Sequence, residues 1–144
     1  MTITLRKTAL IVSSCLLMVA VYVSLDAAKR DSTEIIGVDW KWQQSLYNND
    51  TKAVPPDPAN YTLKLQADGS VSVKADCNRA GGTYKLTGGG LSIEITHSTM
   101  AACPPDSLEG KFIKDLNAAA IYFIEGGNLY IDLQYHSGTM KFSK

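Results

Sequence analysis

The chain has 144 residues, with 14 Lys and Arg against 14 Asp and Glu and a pI near 6.7, so an apolar leader plus one domain of roughly 110 residues accounts for it. Balanced charge supplies no net field toward phosphate backbones or anionic lipid, and nucleic acid is not an expected partner. A 45% hydrophobic share excludes a disordered chain.

Arg6 and Lys7 precede an uncharged run from Thr8 to Leu25, which predicts a membrane-targeting segment over residues 1–28. The run is long for a cleaved signal peptide and minimal for a membrane anchor, and Leu25-Asp26-Ala27-Ala28 is a poor A-x-A cleavage site. Val12-Ser13-Ser14-Cys15 fits a lipobox, which would make the protein a lipoprotein through Cys15. Most of the apolar run follows that cysteine, however, and a lipobox needs it to precede. In each version the basic flank stays inside, and a domain spanning 29–144 is exported or anchored on the far side of the membrane.

Export governs the two remaining cysteines. Cys77 and Cys103 form an even pair in an oxidising compartment, where a disulfide is the default reading. Closing that loop contributes about 3 kcal/mol by constraining the unfolded chain. The competing readings lack their residues: no C-x-x-C is present, and zinc would need His97 and His136 to converge from scattered positions.

Alternation of Ile36, Val38, Trp40, Trp42 and Leu46 with polar residues predicts a first strand over 35–46. Residues 48–60, with Pro55, Pro56 and Pro58, read as a loop outside any ladder. Tyr61, Leu63 and Leu65, then Val71, Val73 and Ala75, alternate on either side of Asp68-Gly69 as a hairpin. A short strand around Tyr84 and Leu86, a Gly88-Gly89-Gly90 turn and a strand through Leu91, Ile93 and Ile95 follow. The triple glycine lacks the helix and Lys-Ser/Thr of a phosphate cradle, so it reads as a hairpin turn.

Past Pro104-Pro105, Asp106 or Ser107 is placed to cap a helix over 107–118 whose apolar face is Leu108, Phe112, Ile113 and Leu116. Strands at 120–125, 129–134 and 139–143 close the chain, separated by Gly126-Gly127-Asn128 and His136-Ser137-Gly138. The expected class is α+β, mainly β. It is an antiparallel meander of about eight strands, curled into a barrel-like sheet, with one helix inserted between strands five and six and plugging its mouth.

The order Trp40, YTLKLQADGSVSVKADCNRAGGTYKL, THSTMAACP and LEGKFIKDL followed by a hairpin resembles the META domain, also called HslJ-like, over residues 35–143. Its most specific parts are Cys77-Asn78 with Gly82 and Tyr84, Thr99 to Cys103, and Leu108-Glu109 with Phe112 and Leu116. Asp76 stands where that family usually has glycine, and Ala101 where it often has methionine. The resemblance implies an exported or membrane-attached bacterial protein, linked in some members to heat induction, envelope stress and drug tolerance. It also implies a bridged cysteine pair and a cracked β-barrel shared with secretin pilotins. It supplies no catalytic residues: Cys77, Cys103, Asn78, Gly82, Tyr84 and Thr99 carry over as structural motif.

The residues themselves favour no chemistry either. Asn78 and Thr99 read as turn formers. His97, expected on the face of Leu91, Ile93 and Ile95, has Ser98 pointing the opposite way, and His136 sits in a turn, so no nucleophile and base come together. The expected function is a noncatalytic envelope binding or assembly module, linked to envelope stress, with no cofactor and no metal. It would act as a monomer on an unknown envelope protein or lipid. The alternatives are an interior pocket for an apolar ligand or lipid, faced by Trp40, Trp42 and Tyr61, and a pilotin-like chaperone for a secretion component.

Overall fold

The computed structural model describes residues 33–144; the targeting segment, its basic flank, the cleavage region and Cys15 lie outside the described residues. Nine strands follow in order: β1 (Trp40–Tyr47), β2 (Lys52–Ala53), β3 (Tyr61–Leu65), β4 (Ser70–Ala75), β5 (Asn78–Thr87), β6 (Gly90–Ser98), β7 (Ala119–Glu125), β8 (Asn128–Leu133) and β9 (Gly138–Ser143). One α-helix, α1 (Glu109–Asn117), separates β6 from β7, and residues 33–35 upstream of β1 are also helical. Every strand pairing is antiparallel, each strand from β3 to β9 pairs with the next, and β1 pairs with both β3 and β9. Closure of β1 on β9, from Lys41 opposite Ser143 to Tyr47 opposite Gly138, makes an eight-stranded barrel with β2 as a side strand on β1.

That side strand corrects the helix position. The helix was expected between strands five and six, and it lies between the sixth and seventh because Lys52–Ala53 pairs with Ser45 and Leu46 inside the presumed loop. The prolines that bar ladder formation at 55, 56 and 58 all come after this short pairing. The first strand also starts later than 35: Gly37 adopts φ +78, which breaks the extended run, and upstream of it Ile36 makes only an isolated parallel bridge with Leu65.

Three bulges interrupt the ladders, one of them at Ala120 in β7 against β8, and the other two redirect side chains named in the sequence. In β1, Trp42 faces Phe142 while Gln44 faces Lys141, so Gln43 is an extra residue and the alternation changes phase. Trp40 and Trp42 point inward, but beyond the bulge Ser45 is buried and Leu46, expected inside with them, is 51% exposed. In β5–β6, Gly81 faces His97 and Gly82 faces Ile95, which makes Thr96 the extra residue. A Cβ on Gly82 would stand 1.9 Å from the Glu94 carbonyl oxygen, so this bulge requires glycine there.

The barrel's weak seam is between β6 and β7, where a lone bridge, Gly90 opposite Ile121, joins the two strands. Helix α1 covers the divergence, with the Asn117 Oδ1 accepting the Ile95 backbone N–H at 2.9 Å. Its inward face is Phe112, Asp115 and Leu116, all buried. Phe112 stacks on Trp42 at 4.9 Å between ring centroids and meets Tyr61 edge-on at 5.6 Å; contacts of this kind add about 1 kcal/mol each beyond area burial. Leu63, Leu65, Leu129, Ile131, Met140 and Phe142 complete a core with essentially no solvent exposure.

Candidate functional site

The cysteine corner is built at the turn between β4 and β5. Asp76 takes φ +57, a left-handed backbone that glycine adopts without penalty, and this is the physical reason a glycine suits the position. The turn delivers Cys77 to Cys103 at a Cα separation of 5.5 Å, with the sulfurs at disulfide distance. Asn78, 2% exposed, sits beneath them. Its Oδ1 accepts from Thr99 Oγ1 at 2.7 Å and from the Ala101 N–H at 2.8 Å. Its Nδ2 donates to the Ala101 carbonyl at 3.0 Å and to Glu109 Oε1 at 2.9 Å. Thr99 Oγ1 also accepts from the Arg79 N–H. Asn78 therefore ties the loop 99–103 and the first turn of α1 to the sheet.

The remaining motif residue, Tyr84, works at the other end of the barrel, where its hydroxyl donates to the Gln66 carbonyl at 2.6 Å. Partial burial raises its pKa, with Asp68 adding to the effect.

Trp40, Trp42 and Tyr61, expected to face a ligand, are at most 1% exposed and face the helix and core side chains instead. Their polar atoms are spent internally. Trp40 Nε1 donates to the Ile35 carbonyl at 3.0 Å, and Tyr61 OH accepts the Leu108 N–H at 2.9 Å where α1 begins. Capping by Asp106 is not seen; Ser107 Oγ accepts the Glu109 N–H at 3.2 Å.

A second polar cluster was missed in the sequence. Asp115, 5% exposed on the inward face of α1, accepts at Oδ2 from Ser45 Oγ at 2.9 Å and from Tyr47 OH at 2.5 Å. Trp42 Nε1 donates to the same Ser45 at 3.2 Å, and the Lys111 ammonium lies 4.1 Å above the Tyr47 ring. Burial and the Asp115 carboxylate push the Tyr47 pKa well above its ordinary value, so the phenol remains a donor. A shallow cleft of about 270 Å³ overlies this cluster, lined by Asn48, Lys111, Lys114 and Ser137 among others. The signal was the spacing of Asp115, three residues from Phe112 on the buried stripe, together with a bulge that turns Ser45 inward.

The histidines stay apart. The β6 bulge turns His97 outward, opposite to its expected face, and its Nδ1 lies 3.1 Å from Thr96 Oγ1. His136 is exposed in a 3-10 turn at φ +52. Neither is hydrogen-bonded to a serine among the described residues, and no group of three His, Cys, Asp or Glu there is placed to hold a metal.

The sequence model of the META domain matches residues 33–144, the whole of the described barrel. The chain belongs to the META domain family. Among solved structures, this META domain is similar to a protein from Burkholderia xenovorans determined by NMR, at 22% identity and a TM-score of 0.64, covering 76% of this chain and 82% of that one. It is also similar to a DUF4847 family protein from Bacteroides vulgatus, at 17% identity and a TM-score of 0.55, covering 76% and 93%. At these identities the likeness concerns the fold alone. No match is found among curated proteins.

Proposed function

We propose that this META domain is a noncatalytic binding or assembly module of the bacterial cell envelope. In this reading it is exported by residues 1–28, closed by a Cys77–Cys103 disulfide, and acts through its outer surfaces. The observation that carries this reading is the filled barrel: Phe112 and Leu116 occupy the interior against Trp42 and Tyr61. Among the described residues, no buried side-chain polar atom lacks a hydrogen-bond partner. A domain so satisfied internally has its recognition chemistry outside. The uncharged run Thr8–Leu25 and the even cysteine pair support export, and the family resemblance supports a link to envelope stress.

Two measurements on the full chain in bacterial cells test it. Alkylation without reductant should leave Cys77 and Cys103 unmodified, and external protease should digest the domain in spheroplasts. A photocrosslinker at Tyr135, which is 93% exposed, or at Met100, 96% exposed, should give a discrete envelope adduct. Reactive thiols on a protease-shielded chain would contradict export, and the absence of any adduct at both sites would contradict the assembly role.

A further inference from the structure

Net charge hides a segregation that only the register reveals. Lys41 lies opposite Thr62, Thr62 opposite Lys74, and Lys74 opposite Arg79, one continuous row across β1, β3, β4 and β5. The next row runs from Lys64 through Ser72 and Gly81 to His97. At strand spacings near 4.8 Å, the first row spans about 14 Å. The charged side chains of both rows lie on the outside of the barrel, and Thr62, Lys64, Ser72, Lys74 and Arg79 line a concave groove of about 300 Å³ together with one carboxylate, Asp39. Four basic side chains gather here in a domain that carries two more acidic than basic residues over 33–144.

Stability does not explain the arrangement. Like charges directly opposite on adjacent strands destabilise a sheet, and Lys74 and Arg79 are such a pair. Lys64 has Asp39 at 3.0 Å, while Lys74 Nζ is held by Asn60 Oδ1 at 2.7 Å and the Ala59 carbonyl. Neither Lys74 nor Arg79 has a carboxylate at ion-pair distance among the described residues. Hydroxyls of Thr62 and Ser72 stand between the cations, so the face offers alternating charged and neutral donors, a set that suits oxyanions.

The chain leading into the domain brings a membrane within range of this face. The chain from the leader joins the barrel at Ile36, which bridges Leu65, the neighbour of Lys64, and the Gly37 N–H donates to the Leu65 carbonyl at 2.8 Å. From Leu25 at the end of the apolar run to Ile36, the chain can reach at most about 40 Å. A bilayer holding residues 8–25 therefore lies within reach of this cationic face.

We propose that the outer face of β1, β3, β4 and β5 docks on anionic phospholipid headgroups, with Lys41, Lys64, Lys74 and Arg79 on the lipid phosphates. The proposal rests on the membrane reading of residues 8–25. The balanced sequence charge had set anionic lipid aside; the register of the strands brings it back.

The test uses the full chain reconstituted in vesicles of neutral phosphatidylcholine, alone or mixed with phosphatidylglycerol, with lysine acetylation read by mass spectrometry. Lys41, Lys64 and Lys74 should react several-fold more slowly in the mixed vesicles, while Lys111 and Lys114 on α1 react alike in both. The difference should vanish at about 1 M salt, where the Debye length is about 3 Å. Arg79→Gln should weaken the protection of the three lysines by about five-fold, the share of one basic residue at an anionic surface. Equal rates in the two vesicle types would overturn the proposal, as would the same protection from inorganic phosphate in neutral vesicles. Failure to float with neutral vesicles would sink the membrane anchor alone. Flotation that then requires phosphatidylglycerol would still support the face, and flotation with neither vesicle would overturn it.

Discussion

Helix α1 is held at two places by different physics. Its middle is held by shape: Phe112 lies between Trp42 and Tyr61, where no charge or exchangeable bond is involved. Its start is held by polar and sulfur chemistry: Glu109 accepts from Asn78, beside the Cys77–Cys103 pair. The aromatic contact should ignore redox state and pH, whereas the corner answers to its compartment. One helix thus joins a permanent stopper to a conditional latch.

The largest expected effect is on the stopper. Phe112→Ala should lower stability by about 4 kcal/mol, the range for a buried aromatic truncated to alanine, read as a fall in the denaturation midpoint at unchanged slope. An effect below about 1 kcal/mol would mean that the barrel holds itself without the helix. Next is the latch: Cys77→Ala with Cys103→Ala should cost about 3 kcal/mol. Reductant should reproduce that loss in the native chain and have no further effect on the variant that lacks both cysteines.

The Asp115 cluster should respond to alkali. Because the Tyr47 pKa is raised in the fold, its contribution is complete below the unfolded value near 10 and is lost as pH climbs above it. Tyr47→Phe should cost about 1 kcal/mol at neutral pH by removing one hydrogen bond. The variant should also show a shallower loss of stability above about pH 10. A parallel decline in both proteins would remove Tyr47 from the account. The smallest effect is a gain: Asp76→Gly should stabilise the β4–β5 turn by about 1 kcal/mol, since φ +57 strains a side-chain-bearing residue. A loss there would show that the Asp76 side chain holds the turn.

Much of this barrel was legible in the sequence, because alternation reports which residues of a strand share a face. The hairpins at Asp68-Gly69 and Gly126-Gly127 and the Phe112 and Leu116 stripe emerged from local pattern alone. The bulges did not, since one extra residue at Gln43 or Thr96 leaves composition unchanged while turning Leu46 and His97 outward. Asp115 escaped because a carboxylate on an amphipathic helix ordinarily marks the wet side, and its partner Ser45 becomes inward only after a bulge. The cationic face was invisible for another reason. Its members are distant in the chain and become neighbours only through strand register.

The filled interior is tested most directly by the chain's two tryptophans, both of which line it. Titrating the full chain with a fatty acid or an apolar quencher should leave Trp40 and Trp42 emission unchanged. A saturable one-to-one change in that emission would contradict a barrel stoppered by Phe112.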